Sequence, residues 1–433
     1  MRAVTGPAAL AAAALMTSGT AVAQTDPSPQ GMPSQSTETP TPGAQTTSSQ
    51  TGTAAQPPST QSSSNPSYFR LQGSAFARAQ PGTALLIMRG SGEVDSWVSV
   101  DALVWGGFQG QGKADVLVVS ARMRDPGGRG EGQIGRFVIG PGAIRPIHID
   151  GAAGLVRLPG DVRLEAFGGV PVAPEFDNEG FGWVLGGRAS RGLGDWGSVG
   201  LAYAHRQHDG EVADEEIGAD LGLVVTDWLD LNGKVAYDLV NPGISEILGT
   251  LTFHEDDWRA SLFYTERSPS RILPSTSLFS VLGDVASRRA AMTVDYRVAP
   301  RLDVNAVAGV RWIGADASES LRGRAELRLN DEGTSSLTGE LRREAAPDGD
   351  WTGLRTAARV RIMDGLTAAT EVELVIPDEP QGRGKVWPWA LIGLEWLPVE
   401  EWKVAAGALT SASPQLASRT DVLVRVTHQL EGP

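Results

Sequence analysis

The sequence has no cysteine among its 433 residues, which excludes a disulfide framework and a thiolate metal site. Beyond its N-terminus it has no apolar run of about 18 residues, so a membrane-spanning helix is not expected. Positive charge is in the minority, with 37 Lys and Arg against 51 Asp and Glu and a formal net charge of −14. This balance argues against nucleic acid as a partner. If the protein crosses a membrane, it must do so with strands.

The N-terminus has the features of a secretory signal peptide. Arg2 supplies the positive start, residues 8–16 are an apolar run, and residues 21–23 read AVA, which fits a cleavage site. We therefore expect residues 1–23 to be a signal peptide that is cleaved after Ala23. A short buried helix is the other interpretation of this stretch.

The next segment, residues 24–66, differs in composition from the rest of the chain. It is rich in Pro, Ser, Thr and Gln and has few apolar side chains. Such a segment cannot bury enough surface to offset the entropy of ordering, so we expect a disordered periplasmic linker. A spacer is its simplest role, and a docking tail for another envelope protein is the alternative.

Most of the remaining chain alternates apolar and polar residues with a period of two. In RLDVNAVAGVRW, residues 301–312, every second residue from Leu302 to Trp312 is apolar, and mostly polar or small residues lie between them. The pattern recurs in about sixteen segments of about ten residues between Val162 and Leu430, which predicts strands joined as hairpins. Short turns are expected near Asp195, Asp227, Asp256, Pro300, Asp331, Asp364 and Glu400, with longer polar loops such as HRQHDGEVADEE and PDEPQGRGK between them.

Two architectures share this period. A soluble β-sandwich has its apolar face inside, whereas in a transmembrane β-barrel that face meets lipid and the polar face meets a watery lumen. The barrel is favoured because a soluble sandwich of this length would divide into domains. It is also favoured because most tryptophans lie near predicted strand ends, as in interfacial girdles. These are Trp183, Trp196, Trp228, Trp258, Trp312, Trp351, Trp387 and Trp402.

The first part of the region 67–433, residues 67–160, alternates less regularly. We expect it to supply four to six further strands, and a separate β domain or an internal plug is the competing interpretation. Its residues Gly135-Arg136-Phe137 and Asp150-Gly151 resemble the strand rhythm of porin-type outer-membrane barrels, in which a Gly-Arg-aromatic strand precedes an Asp-Gly hairpin.

The pattern and this resemblance together predict an all-β fold: a transmembrane antiparallel meander β-barrel of about 20 strands, within a range of 16 to 22. Both termini are expected in the periplasm. One departure from such barrels is the C-terminus, which lacks their usual terminal aromatic residue. Leu430 is expected to take its place in register.

The charged residues that alternate with the apolar ones are expected to line the lumen. Neighbouring strands carry opposite charges, so cross-strand ion pairs are expected. The predicted lumen-lining residues are Arg122, Arg124, Arg136, Asp150, Arg163, Glu165, Arg322, Arg324, Glu326, Arg328, Arg355, Arg359, Arg361, Glu371 and Glu373. Such rows line an open pore in a wide barrel or interlock in a packed one. Because so many strands enclose more space than their side chains fill, a pore is favoured. The loop from Arg267 to Ser287 is the candidate to constrict it, and a surface loop is the equal alternative.

The sequence shows no catalytic or cofactor motif. His148 and Asp150 are placed to orient a base, but no zinc spacing or nucleophile elbow is present. GGRGEGQIG, residues 127–135, opens no helix, so it does not fit a dinucleotide site. Four acidic residues, Glu211, Asp214, Glu215 and Glu216, lack the spacing of a calcium loop. We predict no enzyme activity, no cofactor and no metal.

The predicted function is a porin-like channel for small polar solutes in the outer membrane of a Gram-negative bacterium. Its expected partners are outer-membrane lipid and lipopolysaccharide, those solutes and other envelope proteins, but not nucleic acid. The alternative is a structural barrel with a blocked lumen that anchors an envelope assembly. An outer-membrane hydrolase that uses His148 or Asp150 is the third interpretation.

Overall fold

The computed structural model describes residues 68–79, 82–95, 97–108, 110, 112–172, 182–268, 286–347, 349–379, 385–412 and 418–432. The predicted signal peptide (1–23) and linker (24–66) lie outside these residues, as does most of the loop from Arg267 to Ser287. No helix among the described residues is long and apolar enough to cross a membrane.

The described chain forms 22 antiparallel β-strands that close into one barrel. They are β1 (Tyr68–Arg78), β2 (Thr83–Asp95), β3 (Val98–Phe108), β4 (Gly112–Arg124), β5 (Gly130–Ile139), β6 (Ile147–Leu158), β7 (Val162–Pro171), β8 (Gly182–Gly192), β9 (Gly197–His208), β10 (Glu211–Thr226), β11 (Leu229–Asp238), β12 (Gly243–His254), β13 (Trp258–Arg267), β14 (Ser287–Ala299), β15 (Leu302–Ile313), β16 (Asp316–Arg328), β17 (Ser336–Ala345), β18 (Trp351–Met363), β19 (Leu366–Pro377), β20 (Trp387–Val399), β21 (Trp402–Ser411) and β22 (Arg419–Gly432). Each strand pairs with the next one along the chain, and β1 pairs with β22 over residues 69–78, which closes the sheet.

The predicted all-β antiparallel barrel is confirmed, with 22 strands in place of about 20. Sixteen strands, β7–β22, begin at or after Val162, and six strands, β1–β6, precede them. The even strand number brings both ends of the barrel chain to the same edge. The short turns predicted from the sequence lie at this edge, and most of the longer connections lie at the opposite edge.

The apolar residues of each strand point away from the barrel axis. In β15, Ala306 and Ala308 are exposed, whereas Val307 between them is buried. The exposed set includes Ile392 at 66%, Leu321 at 58% and others on nearly every strand. So much exposed apolar surface is unfavourable in water but suits contact with bilayer hydrocarbon. The eight tryptophans named above all lie within two residues of a strand end, as interfacial girdles require.

Two local predictions were wrong. HRQHDGEVADEE is not a loop, because β9 continues to His208 and β10 starts at Glu211. Asp209 and Gly210 join them with φ of 52° and 83°, values that fit a type I′ hairpin turn. Asp150-Gly151 is not a hairpin either, since both residues lie inside β6. The hairpin between β5 and β6 is formed by residues 140–146 instead.

Candidate functional site

The most distinctive element of the lumen is the connection between β5 and β6, residues 140–146, which we call the inner segment. It starts at the edge opposite the chain ends and turns into the barrel. Gly142 has a φ of 60°, in the left-handed region that favours glycine. Three consecutive side chains are then buried: Ala143 at 0% exposure, Ile144 at 2% and Arg145 at 6%.

Arg145 fixes the inner segment to β10. Its Nη2 donates to both carboxylate oxygens of Asp214, at 2.7 and 2.8 Å, and its backbone N–H donates to Glu216 Oε2 at 3.3 Å. The other oxygen of Glu216 accepts from the Ser245 hydroxyl at 2.8 Å. Glu216 and Ser245 are almost fully buried. Buried charges are tolerated only when they are paired and hydrogen-bonded, and this network meets that condition.

Glycine makes room for the inner segment on the face of β10. A Cβ at Gly218 would lie 2.7 Å from Cβ of Ala143, which is too close for two carbon atoms. A Cβ at Gly142 would lie 2.2 Å from Oδ2 of Asp220. Asp220 is itself held by Arg188, which donates to it at 2.5 and 3.0 Å. The inner segment therefore packs closely against β10, with no room for a side chain at Gly142 or Gly218.

Apolar side chains complete the contact. Ile144 packs in a buried cluster with Phe137, Ile149, Phe167, Val184, Ala202 and Ala204 of the surrounding strands. These positions alternate with exposed outward residues such as Ile134, Val138 and Leu185. The cluster thus lies on the inner face, where the inner segment covers part of the wall. This arrangement narrows the lumen near one end.

Most of the predicted lumen-lining residues share the inner face. Arg322, Arg324, Glu326 and Arg328 alternate with exposed Leu321 and Leu327, and Arg355, Arg359 and Arg361 alternate with exposed Leu354, Val360 and Ile362. Glu371 and Glu373 flank exposed Val372, Arg163 and Glu165 flank exposed Leu164, and Arg122 and Arg124 flank exposed Met123.

Several of these residues form ion pairs across neighbouring strands. Arg355 Nε lies 2.6 Å from Glu371 Oε1. Arg359 reaches past β19 to Glu395 of β20, at 3.3 Å, and Lys403 of the next strand, β21, approaches Glu395 at 2.8 Å. Arg122 is 3.3 Å from Glu131 of β5. Ion pairs between solvated, partly exposed groups add little to the free energy of unfolding. They do determine the pattern of charge on the inner face of the barrel.

Arg136 and Asp150 lie in the barrel wall and not on the inner face. Arg136 lies two residues from both Ile134 and Val138, which are exposed on the outer face of β5, and Asp150 lies opposite Arg136 in register. Arg136 donates to both oxygens of Asp150, at 2.7 and 2.8 Å. This outward alternation does not support the lumen-lining role that the sequence predicts for these two residues. In the sequence, only the alternation of apolar and polar residues indicates which face a side chain occupies. In β5 this alternation is interrupted at Gly135, whose φ is 116°.

The pairing between β4 and β5 is shorter than the two strands themselves. Residues 119–124 of β4 pair with residues 131–136 of β5, so the backbone groups that residues 112–118 direct towards β5 need other partners. Arg136 Nη1 donates to the carbonyl of Val116 at 3.0 Å, and His148 Nε2 donates to that of Leu117 at 2.6 Å. The sequence offered His148 and Asp150 as a candidate catalytic base and its partner. In the structure they belong to a group of side chains that bridges β4, β5 and β6 in the wall.

The acidic residues near the start of β10 form no calcium loop. Asp214 and Glu216 hold Arg145, while Glu215 accepts from the Tyr203 hydroxyl at 2.5 Å. Among the residues that the structure describes, no three His, Asp or Glu side chains are grouped to hold a metal ion.

Comparison with solved structures decides the class of fold. The FrpB iron transporter of Neisseria meningitidis aligns with a TM-score of 0.53 at 9% identity, over 85% of this chain and 83% of that one. The P pilus usher PapC translocation pore aligns at 0.50 and 10% identity, over 84% and 99%. The ferric-catecholate import receptor Fiu of E. coli K12 aligns at 0.50 and 8% identity, over 86% and 82%. The chain has the fold of an outer-membrane β-barrel.

Sequence comparison adds nothing to this, because no protein-family model and no curated protein matches the chain. At identities near 10% the structural likeness establishes the fold alone. The three aligned proteins are by name a transporter, a receptor and a pore, and none is named as an enzyme.

The lumen of the outer-membrane barrel contains a polar cavity of about 630 Å³ near the edge that holds the chain ends. Arg322, Arg324, Glu326 and Arg328 line it together with residues of β12–β15. At the opposite edge Arg343 links two connections, with hydrogen bonds of 2.7 and 2.6 Å to Asp378 and a contact of 3.2 Å to Asp350. The hydrogen bonds from Arg343 hold the pKa of Asp378 below its usual value.

The inner segment is the feature of the lumen that the sequence did not predict. Residues 67–160 are expected from the sequence to supply strands, and no segment inside the barrel is predicted there, although Gly140-Pro141-Gly142 is a strong turn signal. The direction in which the turn folds depends on Asp214 and Glu216, about seventy positions later in the chain. The sequence offered no signal that joins Arg145 to these two residues.

Proposed function

We propose that the protein is a porin-like channel for small polar solutes in the bacterial outer membrane. The observation that carries the proposal is the closed barrel of 22 strands with charged rows on its inner face. A barrel of this size encloses more space than its wall side chains can fill. Charged residues facing that space favour water and polar solutes over a packed interior.

The proposal assigns the constriction to the inner segment. Arg145, Asp214 and Glu216 hold it against the wall, and Ile144 anchors it in the apolar cluster. The predicted constriction loop from Arg267 to Ser287 lies largely outside the described residues, so its role stays a prediction. The lumen-lining role is proposed for the predicted residues other than Arg136 and Asp150.

The cellular setting forms part of the same proposal. Residues 1–23 act as a signal peptide that directs export, and residues 24–66 act as a periplasmic linker. The edge with both chain ends faces the periplasm, and the exposed apolar belt contacts outer-membrane lipid and lipopolysaccharide. The proposal includes no catalytic step, cofactor or metal.

Single-channel recording in planar bilayers tests this function. We expect stepwise, steady current from the purified full chain, because the remaining lumen is lined by charged and polar groups. Heat-modifiable migration on gels is the control that the protein is folded. A folded barrel that carries no current would contradict the channel and support the structural barrel that anchors an envelope assembly.

A further inference from the structure

Three arginines on neighbouring strands form a cluster inside the barrel. Arg289 of β14 lies directly opposite Arg311 of β15, and Arg322 lies on the next strand, β16. Arg289 shares its face with buried Ala291, and Arg311 shares its face with buried Val307, whereas Met292 and Ala308 point outward. All three guanidinium groups therefore face the lumen. We call them the arginine cluster.

The arginine cluster differs from the other inward-facing charged residues, such as those of β18, because its guanidinium groups form no ion pairs. Among the described residues, no carboxylate lies within ion-pair distance of any of the three, whereas Arg355 contacts Glu371 at 2.6 Å. Arg289 lies over the ring of Phe263 at 5.2 Å, and the Nε of Arg322 is buried without a hydrogen-bond partner. The charges of Arg311 and Arg322 both act on Arg289, and Glu344 is the acidic side chain that opposes them.

Like charges placed directly opposite each other on adjacent strands destabilise a sheet. Arg322 also lies opposite Arg342 in register, although Arg342 is bound to Glu340. The chain as a whole is acidic, with a net charge of −14, so an unpaired basic patch is not a consequence of composition. A role in binding explains why three unpaired arginines lie together in a position that costs stability.

We propose that the arginine cluster is an anion-binding site that selects small solutes with carboxylate or phosphate groups. Guanidinium groups match these anions with paired N–H donors, and the three described arginines of the cluster have no carboxylate within ion-pair distance. The site deepens the proposed channel function and rests on it: a solute in transit replaces the missing counter-charge. Neutral and cationic solutes gain no such contact.

Reversal potentials under a KCl gradient test the selectivity. The wild-type channel is expected to favour chloride over potassium. A variant with Arg289→Gln, Arg311→Gln and Arg322→Gln is expected to reduce that preference about tenfold, the scale on which charged clefts enrich counter-ions. The matched control is Arg288→Gln, because Arg288 faces outward on the same strand and contacts Glu266 at 2.8 Å. Equal selectivity in wild type and triple variant would overturn the proposal.

Calorimetric titration with succinate and with inorganic phosphate in detergent separates this site from the channel itself. Binding by the wild type and loss of binding in the triple variant would uphold the site even in a barrel that carries no current. Absence of binding by a folded wild type would overturn it. We also expect the triple variant to resist heat as well as the wild type or better, since like-charge repulsion is removed. A cluster with only a structural role would instead lose stability.

Discussion

Replacement of Arg145 by alanine is expected to release the inner segment and to raise the single-channel conductance. The Arg145 side chain hydrogen-bonds both oxygens of Asp214, and its Nε lies 3.7 Å from Glu216 Oε2. Its loss removes the guanidinium that pairs with the partly buried Asp214 and lies beside the buried Glu216. Breaking a buried ion pair by removing one partner costs about 3–5 kcal/mol. This cost falls on the docked state, because an undocked segment returns Asp214 and Glu216 to water.

Conductance in planar bilayers and proteolysis at residues 140–146 measure the release together. The control is Arg343→Ala, which removes an exposed ion-paired arginine at the same edge of the barrel but does not touch the inner segment. Gly218→Leu is a second route to the same state, because its side chain would occupy the space of Ala143. Unchanged conductance in both Arg145→Ala and Gly218→Leu would show that the inner segment does not limit the current.

The second large effect is expected from a charge placed on the outer face. Leu321 lies near the middle of β16 and is 58% exposed. Leu321→Arg would place a guanidinium at the depth of the bilayer centre, which costs about 2–4 kcal/mol in a transmembrane barrel. We expect a lower urea midpoint for the folded protein in lipid vesicles, followed by the fluorescence of its 12 tryptophans.

Ser320→Arg is the matched control for this prediction. Ser320 precedes Leu321 but belongs to the opposite face, and it lies across from Glu344 in register. An arginine there is expected to stay in water beside a carboxylate, with little change in the urea midpoint. If both variants lost the same stability, the two faces of β16 would not differ in their surroundings.

The strands were predictable because each one carries a complete two-residue repeat. In β15 the choice of outward residues follows directly from Leu302 to Trp312, and the same holds for β16 and β18. The repeat depends only on local sequence, so long-range contacts are not needed to recognise it. The predicted number of about 20 strands is lower than 22 because residues 67–160 alternate less regularly. One cause is a bulge at Leu117 of β4, where the register between β3 and β4 shifts.

The site was only partly predictable, because its charges depend on which strands become neighbours. The rows of Arg322, Arg324 and Arg328 could be placed on one face from β16 alone. The partner of Arg328 could not, since it is Asp303 of β15, whereas Arg324 binds Glu326 of its own strand. The contrast between neutralised rows and the unpaired arginine cluster emerges only from the register of β13–β18.

Spin labelling of single cysteines tests most directly whether the apolar face meets lipid. Because the chain has no cysteine of its own, Ala306→Cys and Asn305→Cys each give one unambiguous label on adjacent positions of β15. In reconstituted vesicles, we predict that the label at 306 is relaxed mainly by oxygen dissolved in the hydrocarbon. The label at 305 is expected to be relaxed mainly by a water-soluble nickel chelate. The reverse order, or a protein that stays in solution without detergent and shields the label at 306, would contradict the barrel orientation.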